Sequence, residues 1–228
     1  MVFLSWTRPS PEEQKACINK SGSFNYDNRF RGATDKPAPL LKQDRELAKD
    51  GFSVNCARVL VGSGRETFEK GKAALQNWRF GISVIYAEIS CDQWSDYVPN
   101  QLCRHFGLNW AFVDPKAPIQ SGTKFCVCVK EFFPWLMMPL QVVYVTENKN
   151  SKKGASFSFG SGTLQGHLLA GEERFSIALD ENDLVWYEIL SFSKPAHLLS
   201  LFGYPYVLLR QKYFAHHSGI AVKKHLSA

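Results

Sequence analysis

The sequence predicts one α+β domain, residues 1–228, in which an antiparallel sheet packs against a long C-terminal helix. Residues 173–192 alternate apolar and polar side chains around a four-residue turn, which is the pattern of a β-hairpin. Residues 206–226 instead repeat apolar side chains at helical spacing. The 228-residue chain is 45% hydrophobic, so it can bury a core without disulfides or metals.

Local signals predict the elements that precede the hairpin. Ser10 followed by Pro11 is typical of a helix N-terminus. Residues 62–78 indicate a turn followed by a helix, because their apolar side chains recur on one helical face. The turn lacks the glycine spacing of a dinucleotide or phosphate loop. Further strands are predicted at residues 55–61, 124–133, 140–148 and 156–164.

The glycine-rich stretch FGSGTLQGHLLAGEERFSI, residues 159–177, contains the candidate site residues. Adjacent strand residues face opposite sides, so Glu172 and Glu173 cannot act together on one substrate, and Glu173 shares the inward face of Phe175. An inward carboxylate is either paired or functional. His167 lies in a glycine-flanked turn from which it could reach Glu173, and a purely structural, hydrogen-bonded His167 is the alternative. The predicted ligand-binding residues are His167, Glu173, Arg174 and Tyr187; no catalytic residue is assigned.

The predicted C-terminal helix has two apolar stripes. The broad one should lie on the sheet and consists of Val207, Leu208, Phe214, Ala215, Val222 and Leu226. The narrow one consists of Leu209, Tyr213 and Ile220. Two rows flank it, one of Lys212, His216 and Lys223, the other of Arg210, His217 and Lys224. We interpret Arg210, Lys212, Lys223 and Lys224 as a possible surface for anionic membrane, with a solvated helix face as the alternative.

Composition and charge exclude several classes of function. The formal net charge of +6 favours acidic partners, but the basic residues are scattered, so no nucleic-acid groove is expected. The N-terminal residues lack a secretory pattern, which predicts a protein that is not secreted and has no disulfides among its six cysteines. Cys126 and Cys128 share one strand face without a second ligand pair, so neither a metal nor a cofactor is expected. The apolar residues 132–145 are too few to span a membrane.

Several longer segments resemble one known family. They are FNYDNRFRGAT (24–34), ARVLVGSGRETFEKGKAALQNW (57–78), MPLQVVYV (138–145), GSGTLQGHLLAGEERFSI (160–177) and VWYEILSFSKPAHLLSLFGYPYVLLRQKYFAHHS (185–218). Together they are similar to uncharacterised protein family 0548 of plants and bacteria, and their sequences look most like those of its plant members. The resemblance implies a helix-grip or START-like fold and association with the plastid outer envelope, where an ion-channel activity has been proposed for plant relatives. It supplies no catalytic residues.

These observations favour a non-enzymatic protein that binds an apolar or lipid-like ligand between the sheet and the C-terminal helix. By resemblance its place is the plastid outer envelope, with the cytoplasm as the alternative. An oligomeric ion channel is a second hypothesis; about seven strands are too few for a water-filled pore from one chain, so this channel would need an oligomer. An enzyme that uses His167 and Glu173 is the third.

One segment departs from the family pattern. Residues 80–104 separate two pieces that are nearly joined in the relatives. We expect this segment to be an insertion of the splice-variant type that leaves and re-enters the domain at neighbouring points, because a compact domain accommodates such a segment as a surface excursion.

Overall fold

A computed structural model describes residues 2–78, 109–112, 118–130, 134–149 and 154–226, with the backbone only for residues 109–112. The predicted insertion at residues 80–104, together with Cys91 and Cys103, lies outside the described residues.

The described strands form one antiparallel sheet. They are β1 (Phe3–Ser5), β2 (Ser53–Ser63), β3 (Asn109–Phe112), β4 (Lys124–Lys130), β5 (Trp135–Asn148), β6 (Ala155–Thr163), β7 (Leu169–Leu179) and β8 (Leu184–Pro195). The strand order is β2-β8-β7-β6-β5-β4-β3, and β1 pairs with the beginning of β5. Bulges interrupt the ladder after Leu60 and after Val142, and bulges of this kind bend a sheet.

Two helices cover the inner face of this sheet. The described helices are α1 (Pro11–Lys20), α2 (Ala38–Lys42), α3 (Arg45–Lys49), α4 (Arg65–Gln76), α5 (Leu198–Phe202) and α6 (Tyr204–Leu226). Helix α6 packs mainly on β2 and also on β8 and α4, while α4 packs on β7. The predicted fold is therefore confirmed: a single α+β domain in which an antiparallel sheet grips a long C-terminal helix.

The core between sheet and helices is largely aromatic. Phe157, Phe159, Phe175 and Ile177 are buried there together with Phe68 of α4. The rings of Phe159 and Phe175 stack with centroids 5.4 Å apart. The broad stripe of α6 joins this core through Ala215 and Val222, which are buried, and through Phe214 and Leu226 at its margin. The predicted placement is confirmed for these four residues, whereas Val207 and Leu208 at the start of the stripe are half-buried and lie outside this core cluster.

Close approach of α6 to the sheet depends on a glycine. A Cβ atom at Gly219 would lie 2.6 Å from Val59 Cγ2, which is closer than two carbon atoms can come. The glycine therefore allows the helix backbone to lie directly on β2. Gly160 of β6 makes room for a side chain on the other face of the sheet. A Cβ there would lie 2.3 Å from the ring of Tyr144 in the neighbouring strand β5.

The N-terminal segment covers the outer face of the sheet. Leu41, Leu47 and Phe30 are buried against Leu190 and Phe192 of β8. The sequence of this segment shows only short apolar patches, so its burial was not predicted. Its helix α1 begins as expected, since Ser10 and Glu13 form a reciprocal capping box and Pro11 is the first helical residue.

Strand β5 is longer than the sequence indicates, because it continues through Pro139. The carbonyl oxygen of Pro139 accepts a hydrogen bond from the Leu164 N–H at 3.1 Å. In a strand the nitrogen of a residue points to the same side as its carbonyl oxygen. On this side of β5, Pro139 lies between the residues that pair with β1 and those that pair with β6. A missing N–H is therefore tolerated at this position.

Candidate functional site

The inner face of the sheet changes from apolar to polar along its strands. One cross-strand row is apolar and consists of Phe159, Phe175, Ile189 and Ala57. The next row on the same face is polar and consists of Ser161, Glu173, Ser191 and Asn55. An inner face of this kind can accommodate a molecule that is apolar along most of its length and polar at one end.

Glu173 is the acidic member of the polar row. It is half-buried, and no described residue forms a hydrogen bond or ion pair with its carboxyl group. Burial raises the pKa of Glu173 to about 7, so the group is partly protonated at neutral pH. Since part of the side chain remains open to water while protein surrounds it, the carboxyl can both accept and donate a hydrogen bond there. Its inward orientation beside Phe175 agrees with the prediction from strand alternation.

Polar contacts fix α6 above this row. The hydroxyl groups of Tyr187 and Ser218 lie 2.6 Å apart, and Gln211 Nε2 donates to Ser193 Oγ at 3.0 Å. Tyr187 is buried, and burial raises the pKa of its hydroxyl, with a further contribution from the nearby charge of Glu173. The structure therefore places two of the predicted site residues, Glu173 and Tyr187, on the inner face of the sheet, in different cross-strand rows.

A cleft opens this interface at the edge of the sheet. It lies between β2 and α6 and has a volume of about 340 Å³. Its lining consists of Asn55, Cys56, Ala57, Arg58, Val59, Lys212, Ala215 and His216. Ala57, Val59 and Ala215 belong to the core, whereas Lys212 lies exposed at the rim. Asn55 lies in the polar row of Glu173, two strands away, or about 10 Å at the usual strand spacing.

Arg174 does not face this interface, because it follows Glu173 in the strand and points to the outer face. Its guanidinium donates to the carbonyl oxygens of Thr34 and Lys36 at 2.7 and 3.1 Å and pairs with Glu188 at 2.6 Å. The structure thus assigns it to anchoring the N-terminal segment and not to the ligand site that the sequence predicted.

Glu172 has a similar anchoring role on the outer face. Its carboxylate accepts hydrogen bonds from the Tyr26 hydroxyl at 3.0 Å, the Gly32 N–H at 2.8 Å and the Thr34 N–H at 3.0 Å, and from the Thr34 hydroxyl. The two adjacent glutamates therefore have separate environments, one saturated with donors and one without a described partner.

His167 is buried, but it lies apart from Glu173. It lines a pocket of about 260 Å³ at the end of β7 and β8, on the side of Ala170 and Lys194. Those two residues belong to the outer face, since they alternate with Gly171 and Ser193. Burial lowers the pKa of His167 to about 4, so the ring is neutral at physiological pH. The predicted pairing of His167 with Glu173 in one site is not what the structure shows.

The far side of α6 is exposed, as the narrow apolar stripe predicts for a surface. Leu209 and Ile220 are 66% and 46% exposed, and Lys212, Lys223 and Lys224 are exposed beside them. The predicted basic rows need one correction, because His217 is buried and contacts the Tyr213 ring at 4.1 Å between centroids. Burial lowers the pKa of His217 to about 4, so it adds no charge to this surface.

Helix α5 exposes more apolar surface than any sequence signal indicated. Four of its five residues are large and exposed: Leu198 (66%), Leu199 (60%), Leu201 (57%) and Phe202 (84%). Contiguous exposed apolar side chains of this kind mark interaction surfaces in soluble domains. We call these four residues the α5 ridge.

The four cysteines among the described residues show no feature of a functional centre. Cys17, Cys126 and Cys128 are buried together, with the Cys126 sulfur 3.9 Å from each of the other two, and the hydrogen bond with Cys128 together with burial raises the pKa of Cys126. Within the part of the chain that the structure describes, no cluster of side chains has the composition of a metal site. Among the same residues, no helix is both long and apolar enough to cross a membrane.

Comparison with known proteins shows the family to which this chain belongs. It is 59% identical over 229 residues, with full coverage of both chains, to UPF0548 protein At2g17695 of Arabidopsis thaliana. The chain belongs to the UPF0548 family. A UPF0548 protein of Deinococcus radiodurans is 29% identical over 169 residues, covering 70% of this chain and 71% of that one. Residues 102–221 also match the model for a domain of unknown function, DUF1990.

Solved structures that resemble this UPF0548 chain are distant. Norcoclaurine synthase from Thalictrum flavum, in complex with dopamine and hydroxybenzaldehyde, has a TM-score of 0.42 at 10% identity, over 76% of this chain and 85% of that one. Ginseng major latex-like protein 151 from Panax ginseng has a TM-score of 0.38 at 11% identity, over 76% and 97%. These likenesses are too weak to support an argument about function.

Sequence reasoning about this UPF0548 chain found Glu173 and Tyr187 but missed the polar groups around them. Ser161 and Ser191 each lie at a strand position that faces inward, and alternation alone could have placed them in the row of Glu173. Asn55 and Gln211 gave no such signal, because their positions depend on how β2 and α6 pack against β8.

Proposed function

We propose that this protein binds, without catalysing a reaction, an apolar or lipid-like small molecule between the inner face of the sheet and α6. The observation that supports this most directly is the half-buried Glu173, which lacks a described partner at the polar end of an aromatic inner face. A carboxyl without a partner costs free energy in a folded protein unless a ligand or water satisfies it.

The cleft between β2 and α6 supplies an entrance to this interface. Its floor is apolar, through Ala57, Val59 and Ala215, and its rim carries Lys212 and His216. A volume of about 340 Å³ lies at the lower end of the range for small-molecule sites. The apolar part of the ligand would contact the floor, and its polar end would point along the row from Asn55 toward Glu173.

The geometry does not favour the alternative of an enzyme that uses His167 and Glu173 as a pair. Glu173 faces inward, whereas His167 lines a pocket on the outer face. Glu173 lies four positions along β7 from Leu169, which contacts His167, and four steps span roughly 13 Å at the usual rise.

Blocking the cleft should abolish ligand binding. We expect Ala57→Trp to weaken binding of the neutral fluorescent probe N-phenyl-1-naphthylamine at least about tenfold, because the indole would occupy the floor of the cleft. Ala178→Trp is the matched control: Ala178 is an equally half-buried strand alanine, but it faces outward and should leave affinity within about twofold. Probe fluorescence measures both.

Competition then tests the role of Glu173. Decylamine and decanol should displace the probe better than decanoate, since a carboxylate next to Glu173 meets like charge. Glu173→Gln should reduce the preference for decylamine. Equal displacement of the probe by all three compounds, or unchanged affinity in Ala57→Trp, would contradict the proposal.

A second candidate function, association with an anionic membrane surface, is favoured by the α5 ridge and the adjoining helix. The ridge exposes four large apolar side chains immediately before α6, and α6 exposes Lys212, Lys223 and Lys224 beside Leu209 and Ile220. Apolar side chains flanked by basic ones suit the interface of an anionic bilayer. By family resemblance, we propose that this bilayer is the plastid outer envelope. Nothing in the described residues favours the ion-channel alternative.

Charge removal should abolish this membrane association. We expect the full chain to co-sediment with phosphatidylcholine vesicles that contain 30% phosphatidylserine, and added salt to release it. Replacing Arg210, Lys212, Lys223 and Lys224 with glutamine should reduce binding at least about tenfold, given about 1 kcal/mol per basic residue near the surface. A variant with Lys15, Lys20, Arg45 and Lys49 replaced removes equal charge elsewhere and should still bind. Equal binding of both variants would contradict the assignment.

A further inference from the structure

We propose that the pocket beside His167 is a binding site for a small oxyanion of the phosphate type. This outer-face pocket is separate from the cleft between β2 and α6, and the proposal does not rest on the ligand suggested for that cleft. The pocket has a volume of about 260 Å³ and is lined by Asn25, Gln165, Gly166, His167, Ala170, Lys194, Pro195, Ala196 and His197.

His167 presents a hydrogen-bond donor to this pocket. Its Nδ1 lies 2.9 Å from the Leu169 N–H and 3.0 Å from the Leu169 carbonyl oxygen. Asn25 Nδ2 also donates to that oxygen at 3.0 Å, and we assign Nδ1 as the acceptor of the Leu169 N–H, the shorter of its two contacts. The proton of the neutral ring then lies on Nε2. His167 is 9% exposed, and no described residue accepts a hydrogen bond from Nε2.

His197, which also lines the pocket, repeats this arrangement. Its Nδ1 accepts the Leu199 N–H at 3.2 Å, which leaves Nε2–H as a second donor. Two histidines whose Nδ1 atoms are occupied by backbone N–H groups cannot both act as ligands for a metal through those atoms. What the two rings share is an N–H donor at Nε2.

Lys194 supplies the positive charge. Its ammonium donates to the Asp50 carbonyl oxygen at 2.9 Å and lies 4.4 Å from the centroid of the Phe52 ring. These contacts hold the side chain in place and use only one of its three N–H donors. Gln165 adds a side-chain amide at the exposed margin.

The polar lining residues are therefore one lysine, two histidines and two side-chain amides, those of Asn25 and Gln165. The lining includes no carboxylate among the described residues. A ligand with several acceptor oxygens and a negative charge satisfies all these donors, and charge-assisted hydrogen bonds to such an oxyanion are strong. A cation would be repelled by Lys194, and an apolar molecule would leave the donors unpaired.

The position of the pocket allows two sources of the anion. Pro195, Ala196 and His197 line it and lead directly into the α5 ridge. A phosphate group could therefore belong to a lipid whose chains contact the ridge, or to a soluble molecule. The binding chemistry is the same in both cases, and only the attached apolar part differs.

Thermal unfolding of the full chain tests the site. Inorganic phosphate should raise the Tm of the wild-type protein relative to sodium chloride of equal ionic strength, since a ligand that binds only the folded state stabilises it. Lys194→Met should reduce phosphate affinity at least about tenfold. Lys124→Met is the matched control, because Lys124 is also half-buried and donates to a backbone carbonyl, that of Gly22 at 2.7 Å, outside the pocket.

A second variant keeps the test valid if Lys194→Met unfolds. In His167→Asn the amide oxygen can replace Nδ1 as acceptor of the Leu169 N–H, while the donor toward the pocket is lost. This variant should fold and bind phosphate more weakly. No difference between phosphate and chloride in the wild-type protein would overturn the proposal, and so would unchanged phosphate affinity in whichever of the two pocket variants folds.

Vesicles distinguish the two sources. If the anion is a lipid headgroup, the protein should bind phosphatidylcholine vesicles that contain phosphatidic acid, and inorganic phosphate should displace it from them. If the anion is soluble, phosphate should raise the Tm without affecting vesicle binding. Either result supports the site, and Lys194→Met should remove the effect of phosphate in both.

Discussion

Glu172→Ala is expected to lower the free energy of unfolding by about 3 to 5 kcal/mol, because it leaves several buried donors without an acceptor. The carboxylate accepts hydrogen bonds from Tyr26, Gly32 and Thr34 in the segment that covers the outer face. Urea unfolding followed by circular dichroism measures the loss. Hydrogen exchange should accelerate in residues 24–36, since these contacts attach that segment to β7.

A surface glutamate provides the control for Glu172. Glu147 forms exposed ion pairs with Lys72 and Lys149, and exposed pairs contribute about 1 kcal/mol or less. Glu147→Ala should therefore leave residues 24–36 protected. If Glu172→Ala cost no more than Glu147→Ala, the anchoring role of Glu172 would be wrong.

Glu173→Gln should change how stability depends on pH. The pKa of Glu173 is raised from 4.5 to about 7, so the folded state favours the protonated form. Its carboxyl does not oppose folding below about pH 4.5, and it destabilises the folded protein progressively as the pH rises from about 4.5 to 7. At 1.36 kcal/mol per pKa unit the full effect is at most about 3 kcal/mol, and water access to the half-buried group reduces it.

The comparison with Glu173→Gln isolates this effect. His167 has the opposite effect on the pH dependence of stability. Burial lowers its pKa from 6.5 to about 4, so the folded state loses stability relative to the unfolded chain as the pH falls from about 6.5 to 4. Subtracting the two unfolding profiles removes the His167 contribution, which both proteins share. The variant should gain stability relative to wild type as the pH rises from about 4.5 to 7, and the gain should then stay constant. A difference that does not vary with pH would show that Glu173 is not desolvated.

The separate roles of Glu172 and Glu173 could be read partly from sequence. Strand alternation placed them on opposite faces and placed Glu173 beside Phe175, as the structure confirms. Alternation could not show that Glu172 would meet Tyr26 and Thr34, because these contacts join residues about 140 positions apart in the chain. The same limit applies to Arg174, whose partners lie in that segment.

Local patterns predicted the elements whose cause is local. The helix N-cap at Ser10, the hairpin of β7 and β8 and most of the broad stripe of α6 depend on neighbouring residues, and these are present. The position of His167 depends instead on the end of β8 and on Asn25. The burial of His217 likewise follows from packing that helical spacing does not reveal.

The central claim is that an apolar ligand lies between β2 and α6, and nuclear Overhauser effects from bound N-phenyl-1-naphthylamine to assigned methyl groups test it most directly. We expect contacts with the methyl groups of Ala57, Val59 and Ala215, and their loss in Ala57→Trp. Contacts confined to Leu198, Leu199 and Leu201 of the α5 ridge would contradict it.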